Sequence, residues 1–142
     1  REKRGLVYSI FSTSLPFRDF GITYVYAGTS KQNLPQVVDL TLAEFSRIKK
    51  EGLTEVEISK AKEYIKGSMV LGLESTSSRM SYSSRSEFYH GRVITIDEIF
   101  EKVGRVTNED ILRLANKYFL DEYLTLAVIG DFEELPVKTL HC

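Results

Sequence analysis

Two neighbouring segments rich in β-branched and aromatic residues constrain the fold of this chain more than any other feature. Residues 6–17 read LVYSIFSTSLPF and residues 20–29 read FGITYVYAGT, with only Arg18 and Asp19 between them. Both compositions are typical of β-strands, and so short a connection favours antiparallel pairing of the two segments. The sequence therefore predicts a β-hairpin at the start of the fold.

Helical periodicity and helix-start signals follow the two predicted strands. Thr54 and Glu57 form a capping-box pattern, and Thr95 precedes another short periodic segment. The serine-rich residues 75–90 also have helical spacing, which stops at Gly91. In all, the pattern predicts four or five helices in the middle of the chain.

A last apolar segment, residues 123–130 (YLTLAVIG), predicts a third strand that is buried enough to be almost wholly apolar. The predicted order is thus two strands, four or five helices and one strand. Because the helices are grouped and do not alternate with strands, this order favours an α+β fold, with helices packed on one face of an antiparallel or mixed sheet. We expect the segments 6–17, 20–29 and 123–130 to share that sheet, within one domain over residues 1–142.

Length and composition exclude several classes of protein. The 142 residues are 42% hydrophobic and 27% charged, as expected for one domain with a real hydrophobic core. Nineteen basic and twenty acidic side chains give a net charge of −1, so no attraction to nucleic acid is indicated. No apolar run approaches the ~20 residues of a membrane span. Since the sequence begins with Arg1 and not with Met, we expect a piece of a longer chain.

The sequence contains no assembled catalytic or metal-binding motif. Neither His-x-x-Glu-His nor His-Glu-x-x-His occurs, and His90 and His141 are far apart. His90 precedes Gly91 and is expected to be a C-terminal helix residue, favoured there by the helix dipole. The single cysteine, Cys142, is expected to be an exposed thiol. We therefore expect this chain alone to bind no zinc with catalytic geometry.

The first candidate site is formed by Arg1 and Tyr8, which flank Gly5. A guanidinium and a phenol placed together could donate hydrogen bonds to a peptide carbonyl, or to the oxyanion formed when that carbonyl is attacked. Strand alternation predicts that Tyr8 shares a face with Leu6 and Ile10. The alternative is a solvated basic segment followed by an ordinary strand tyrosine, and the residues alone favour that alternative.

The second candidate is the segment from residue 66 to residue 92, which combines serines, glycines and scattered charges. One interpretation is a helix pair packed through small residues. The other is a charged surface that meets a partner domain. The pattern alone favours the helix pair, because charges on successive helix turns are normally solvated.

Nine stretches, taken together and in order, resemble the C-terminal half of the pitrilysin/insulinase family of zinc metallopeptidases. The resemblance is to the branch of mitochondrial processing peptidases and bacterial processing proteases. It covers nearly the whole chain. The stretches are residues 1–9 (REKRGLVYS), 26–29, 52–54, 61–62 with 66–68, 73–75 with 79–80, 91–92, 97–99, 106–107 and 127–130.

The resemblance implies a function that the residues alone do not. Family members have two similar halves that close around an unfolded peptide, and the N-terminal half carries the zinc motif. The C-terminal half carries an arginine and a tyrosine, spaced as Arg1 and Tyr8 are here, which reach the substrate carbonyl. The resemblance thus implies the substrate-binding lobe of a zinc endopeptidase, with zinc held elsewhere in the full-length protein.

The same resemblance implies the partners of the chain and leaves one alternative function open. The expected partners are an N-terminal peptidase lobe or a homologous subunit, a peptide substrate and, for the isolated lobe, a second copy. Nucleic acid and a membrane span are not expected, and the cytoplasm is favoured if the protein is bacterial. The alternative is a non-catalytic subunit that binds peptide or scaffolds a complex, although the presence of both Arg1 and Tyr8 favours the enzyme.

Overall fold

The structure, a computed structural model, describes residues 4–137 and 139–142 of the chain. Two strands come first and are followed by five α-helices, which confirms the predicted α+β class. Short 3₁₀ turns precede the first helix and follow the last one. The elements are β1 Val7–Pro16, β2 Gly21–Thr29, α1 Leu34–Glu51, α2 Glu55–Gly72, α3 Thr76–His90, α4 Ile96–Arg105 and α5 Asn108–Tyr118.

Strands β1 and β2 form the predicted antiparallel hairpin. Phe11 lies opposite Tyr26 and Leu15 lies opposite Ile22, so these four side chains share one face. The rings of Phe11 and Tyr26 stack with their centroids 5.1 Å apart. The cross-strand pairs of aromatic and β-branched residues that suggested two strands thus also stabilise their pairing.

Side chains close in sequence define the ends of the helices. Thr54 and Glu57 form a complete capping box at the start of α2, and Thr95 and Glu98 form another at the start of α4. Gly91 ends α3 with a φ of 67°, a left-handed conformation that glycine adopts without steric cost. Among the described residues, no helix is long and apolar enough to cross a membrane.

The predicted last strand does not form in the described part of the chain. The 3₁₀ turn Asp121–Tyr123 takes up its first residue, and residues 124–129 pair with neither strand of the hairpin. Ile129 in this segment is fully exposed. A strand requires a continuous row of backbone partners, which apolar composition alone cannot supply. The α+β class stands, but the final strand of the predicted order is corrected to an unpaired segment.

The chain divides into two compact units. The first runs up to Lys49 and includes Asn116–Cys142, and the second is Lys50–Ala115. Within the first unit the rings of Phe45 and Phe119 stack at 4.5 Å between centroids. Within the second, the Asn108 side chain accepts a hydrogen bond from the backbone N–H of Leu53 at 2.8 Å.

The hydrophobic core is smaller than the composition predicts. Among the described residues, six hydrophobic side chains are buried: Val7, Leu34, Val37, Val38, Ile58 and Ala115. In the hairpin, Ile10 on one face and Phe11 on the other stay 45% and 49% exposed. The expected core does not assemble because most of the large side chains of the hairpin lack a covering layer among the described residues.

Candidate functional site

The backbone that leads into β1 is held on both sides. The carbonyl of Leu6 accepts hydrogen bonds from the Thr29 hydroxyl at 2.6 Å and from the Asn33 amide at 3.4 Å. The next side chain, Val7, is only 8% exposed. Just before them, Gly5 turns the chain with a φ of 61°, which a residue with a Cβ adopts only with strain. The direction in which the chain enters β1 is therefore well defined.

Tyr8 is the residue that the hairpin leaves unpaired. Val7 lies opposite Thr29 and Ser9 lies opposite Gly28, so Tyr8 is the extra residue of a β-bulge. Its side chain is 74% exposed, and its hydroxyl has no hydrogen-bond partner among the described residues. The prediction that Tyr8 shares a face with Leu6 and Ile10 assumed unbroken alternation, which the bulge interrupts. Within the part of the chain that the structure describes, the hydroxyl is thus a free donor at the surface.

Arg1, the second residue of this candidate site, lies outside the described residues. Its distance from Tyr8 and its joint role with Tyr8 therefore stay a prediction. The part of the site that the structure describes is one exposed tyrosine hydroxyl on a bulge, next to a strand start anchored by Leu6 and Val7.

The described residues do not fit a metal centre. Among them, no group of three or more His, Cys, Asp or Glu side chains lies close enough to hold a metal ion. His141 instead pairs with Asp121 at 2.8 Å. Cys142 is partly buried, and its thiol lies 3.1 Å from the carbonyl oxygen of Phe119, to which it donates. The expectation of an exposed thiol is therefore wrong, and burial raises the pKa of Cys142.

A groove lies within the second unit, between helices α2, α3 and α4, and its volume is about 800 Å³. We call it the α3 groove, because α3 supplies most of its lining. Ser77, Ser81, Arg85 and Tyr89 all line it, and their four-residue spacing places them along one helix face. This four-residue spacing is visible in the sequence. It was missed because residues 66–92 were interpreted as a helix pair packed through small residues.

Hydrogen bonds hold one wall of the α3 groove in place. The buried Ser86 hydroxyl donates to the carbonyl of Arg92 at 2.9 Å and accepts from the backbone N–H of Ile94 at 2.8 Å. The Tyr82 hydroxyl donates to the carbonyl of Ile94, also at 2.8 Å. These three bonds fix the loop after α3 against the helix, so the wall is built from satisfied polar groups.

The charge that lines the α3 groove is positive. Arg85 and Lys102 line it, whereas no aspartate or glutamate does among the described residues. The nearby Glu98 is paired with Arg92 through two hydrogen bonds, of 2.9 and 2.6 Å. These bonds from Arg92 lower the pKa of Glu98 to about 2. Glu98 therefore stays ionised near neutral pH and already has its partner. Arg85 and Lys102 have no ion-pair partner within the described part of the chain.

Comparison with known proteins finds that the chain is similar to a peptidase family and to several zinc proteases. Residues 1–65 match the family described as "Peptidase M16 inactive domain". An uncharacterized zinc protease, YmxG of Bacillus subtilis (strain 168), is 35% identical over 136 residues, which are 96% of this chain and 33% of that protein. An uncharacterized zinc protease of Streptomyces coelicolor, SCO5738, is 34% identical over 99% of this chain and 30% of its own length.

A mitochondrial protein shows a weaker similarity. The beta subunit of the mitochondrial-processing peptidase of Saccharomyces cerevisiae is 26% identical over 91% of this chain and 28% of its own length. The chain thus spans about a third of the length of the curated relatives that it matches. Most of each relative therefore lies outside the region that matches this chain.

Proposed function

We propose that this chain is the substrate-binding lobe of an endopeptidase for peptides or unfolded segments, within the C-terminal half of a pitrilysin-family zinc protease. Its similarity to zinc proteases and to a peptidase M16 domain supports this proposal. Its proposed contribution to the reaction is a pair of hydrogen-bond donors, Tyr8 and Arg1. Both would contact the carbonyl oxygen of the scissile peptide bond. The hydroxyl of Tyr8, exposed and unpaired within the described residues, is the single observation that carries this proposal.

The structure around Tyr8 supports a donor of this kind. A hydroxyl that must meet a substrate cannot be committed to the lobe's own hydrogen bonds, and that of Tyr8 has no partner among the described residues. The bonds to the Leu6 carbonyl and the burial of Val7 hold the backbone on the N-terminal side of Tyr8. Preorganised donors lose little freedom when the substrate arrives, which is the condition for strong stabilisation of a transition state.

The proposed role of Tyr8 and Arg1 requires only that negative charge develops on the carbonyl oxygen that they contact. When the peptide carbonyl is attacked, its oxygen gains negative charge, and a phenol and a guanidinium then bind it more strongly than in the ground state. The planar guanidinium of Arg1 would donate two parallel hydrogen bonds, which a lysine ammonium cannot reproduce. In the proposed reaction, the attacking group would come from the zinc site in another part of the full-length protein.

The test is the turnover of an unfolded peptide by the full-length protein that contains this chain. Tyr8→Phe removes only the hydroxyl, so kcat is expected to fall ~10²–10³-fold with little change in KM. Tyr64→Phe is the matched control, because Tyr64 is 76% exposed on α2 and its hydroxyl has no partner among the described residues. A Tyr8→Phe variant that keeps its turnover within about threefold would refute the proposed role.

The proposal includes a partner lobe. Large apolar side chains of the hairpin stay exposed on both faces, and Tyr26 and Phe20 are 49% and 61% exposed. Contiguous apolar surface of this kind is usually covered by another protein surface. We propose that an N-terminal peptidase lobe or a homologous subunit covers it, and that the isolated lobe associates with a second copy.

The second candidate function is a non-catalytic subunit that binds peptide or scaffolds a complex. One observation favours it: residues 1–65 match a family that is described as an inactive domain. Zinc analysis and a turnover assay on the full-length protein separate the two candidates. Stoichiometric zinc together with peptide cleavage supports the endopeptidase, and the absence of both supports the scaffold.

A further inference from the structure

The α3 groove contains recognition chemistry that the proposed peptidase role does not use. Its size, about 800 Å³, lies in the range of ligand clefts, which hold roughly 300–1,000 Å³. Apolar side chains such as Met69, Leu73 and Ile99 line it together with Arg85 and Lys102. Such clefts typically combine an apolar lining with a few polar groups that orient the ligand.

We propose that the α3 groove binds an acidic peptide segment that carries both apolar and carboxylate side chains. Arg85 and Lys102 would pair with the carboxylates, and the apolar lining would take up the apolar side chains. Neither cation has an ion-pair partner among the described residues. Glu98, which precedes the lining residue Ile99, is already paired with Arg92. Glu101, which precedes Lys102, is paired with Arg105.

Other anions fit the α3 groove less well. A small inorganic anion would fill only a fraction of its volume and would leave its apolar lining exposed. Nucleic acid is disfavoured, because the chain has a net charge of −1 and binding to a phosphate backbone requires an extended basic surface. A peptide with both side-chain types satisfies the cations and the apolar lining together.

Exposed charges give this binding a modest strength that depends on salt. An exposed ion pair typically changes an equilibrium about two- to fivefold, so Arg85→Ala and Lys102→Ala should each weaken binding by that factor. The double charge reversal Arg85→Glu/Lys102→Glu should weaken it more than tenfold. Higher ionic strength should weaken binding to the unmodified protein more than binding to the double variant.

The experiment measures fluorescence anisotropy of labelled eight-residue peptides with the full-length protein. One peptide alternates Glu and Leu, a second replaces Glu by Gln and a third replaces Glu by Lys. The Glu peptide should bind about tenfold more tightly than the Gln peptide, and the Lys peptide should bind least. Lys60→Ala is the matched control, because Lys60 is an exposed α2 cation outside the groove, and this variant should bind like the unmodified protein.

Several results would overturn the proposal. Equal affinity for the Glu and Gln peptides, or unchanged affinity in the double charge reversal, would show that Arg85 and Lys102 do not recognise carboxylates. Displacement of the peptide by inorganic phosphate at matched ionic strength would indicate a small-anion site. Tighter binding of a single-stranded RNA of equal length would indicate a nucleic-acid site. All these readouts are binding constants, so they are independent of the turnover that tests Tyr8.

Discussion

The helical unit, Lys50–Ala115, and the segment that follows α5 differ in how their structure is specified. In the helical unit, side chains three residues apart define the helix starts, as Thr54 with Glu57 and Thr95 with Glu98 show. In the segment that follows α5, the largely apolar residues 124–129 pair with no strand of the described chain. Local signals can therefore be satisfied within a short stretch of chain, whereas a strand depends on partners that its own sequence does not supply.

The stability prediction with the largest expected effect tests whether the helical unit also depends on a long-range contact. Gly52 has a φ of 69°, and a Cβ there would lie 2.7 Å from the Asn108 side-chain nitrogen. Gly52→Ala should destabilise the chain by about 2–3 kcal/mol, because it adds left-handed strain and disturbs the bond between Asn108 and Leu53.

Gly67→Ala is the control for this prediction, measured by urea unfolding of the same chain. Gly67 lies inside α2, and a Cβ there would meet nothing within 4 Å. Gly67→Ala should stabilise the chain by about 0.5–1 kcal/mol, since alanine is more stable than glycine in the interior of a helix. Equal effects of the two substitutions would show that the contact with Asn108 contributes nothing.

The next prediction concerns the uncovered hairpin. Phe11→Lys places a charge on the exposed aromatic face, where Phe11 is 49% exposed. It should weaken self-association of the 142-residue chain at least about tenfold, because burial of a phenylalanine is worth about 1.5–3 kcal/mol. Sedimentation equilibrium measures the association constant. Val56→Lys on α2, at a site that is 62% exposed, is the control and should leave it unchanged.

Much of the fold could be predicted from sequence because its signals are local. The hairpin was predictable from the short polar break between its two predicted strand segments, and the capping boxes from residue types three positions apart. The unpaired residues 124–129 were not predictable, because strand formation depends on a partner outside that segment. The bulge at Tyr8 was missed for a similar reason, since it depends on how β1 and β2 register and not on the residue itself.

A smaller effect is expected at the helix starts. Thr54→Ala removes the side chain that accepts the backbone N–H of Glu57 at 3.2 Å, so it should cost about 1 kcal/mol of stability. Thr54→Ser keeps the acceptor and should cost only a small part of that. Urea unfolding of both variants provides the comparison, and an equal loss in the two would argue against the capping hydrogen bond as the cause.

The smallest effect is a dependence of stability on pH. The bonds from Arg92 lower the pKa of Glu98 from 4.5 to about 2, so the pair stabilises the folded state fully above pH 4.5. This contribution should fade as the pH falls from 4.5 towards 2, because the carboxylate then takes up a proton. The difference in urea midpoint between the unmodified chain and Glu98→Gln should shrink over that range.

The control for the pH prediction is Glu74→Gln, since the Glu74 side chain has no ion-pair partner among the described residues. Its midpoint difference should change less between pH 4.5 and pH 2 than that of Glu98→Gln. Because the pair is exposed, added salt should reduce the effect. A constant difference for Glu98→Gln at every pH would show that the ion pair does not contribute.

The most direct test of the account is the turnover of the double variant Arg1→Ala/Tyr8→Phe in the full-length protein. With zinc content and unfolding midpoint equal to those of the unmodified protein, kcat for an unfolded peptide should fall at least ~10²-fold, because both donors to the developing oxyanion are gone. The single variant Arg1→Lys should turn over the peptide more slowly than the unmodified protein, because a lysine ammonium lacks the planar fork of the guanidinium. Full turnover in the double variant would contradict the account.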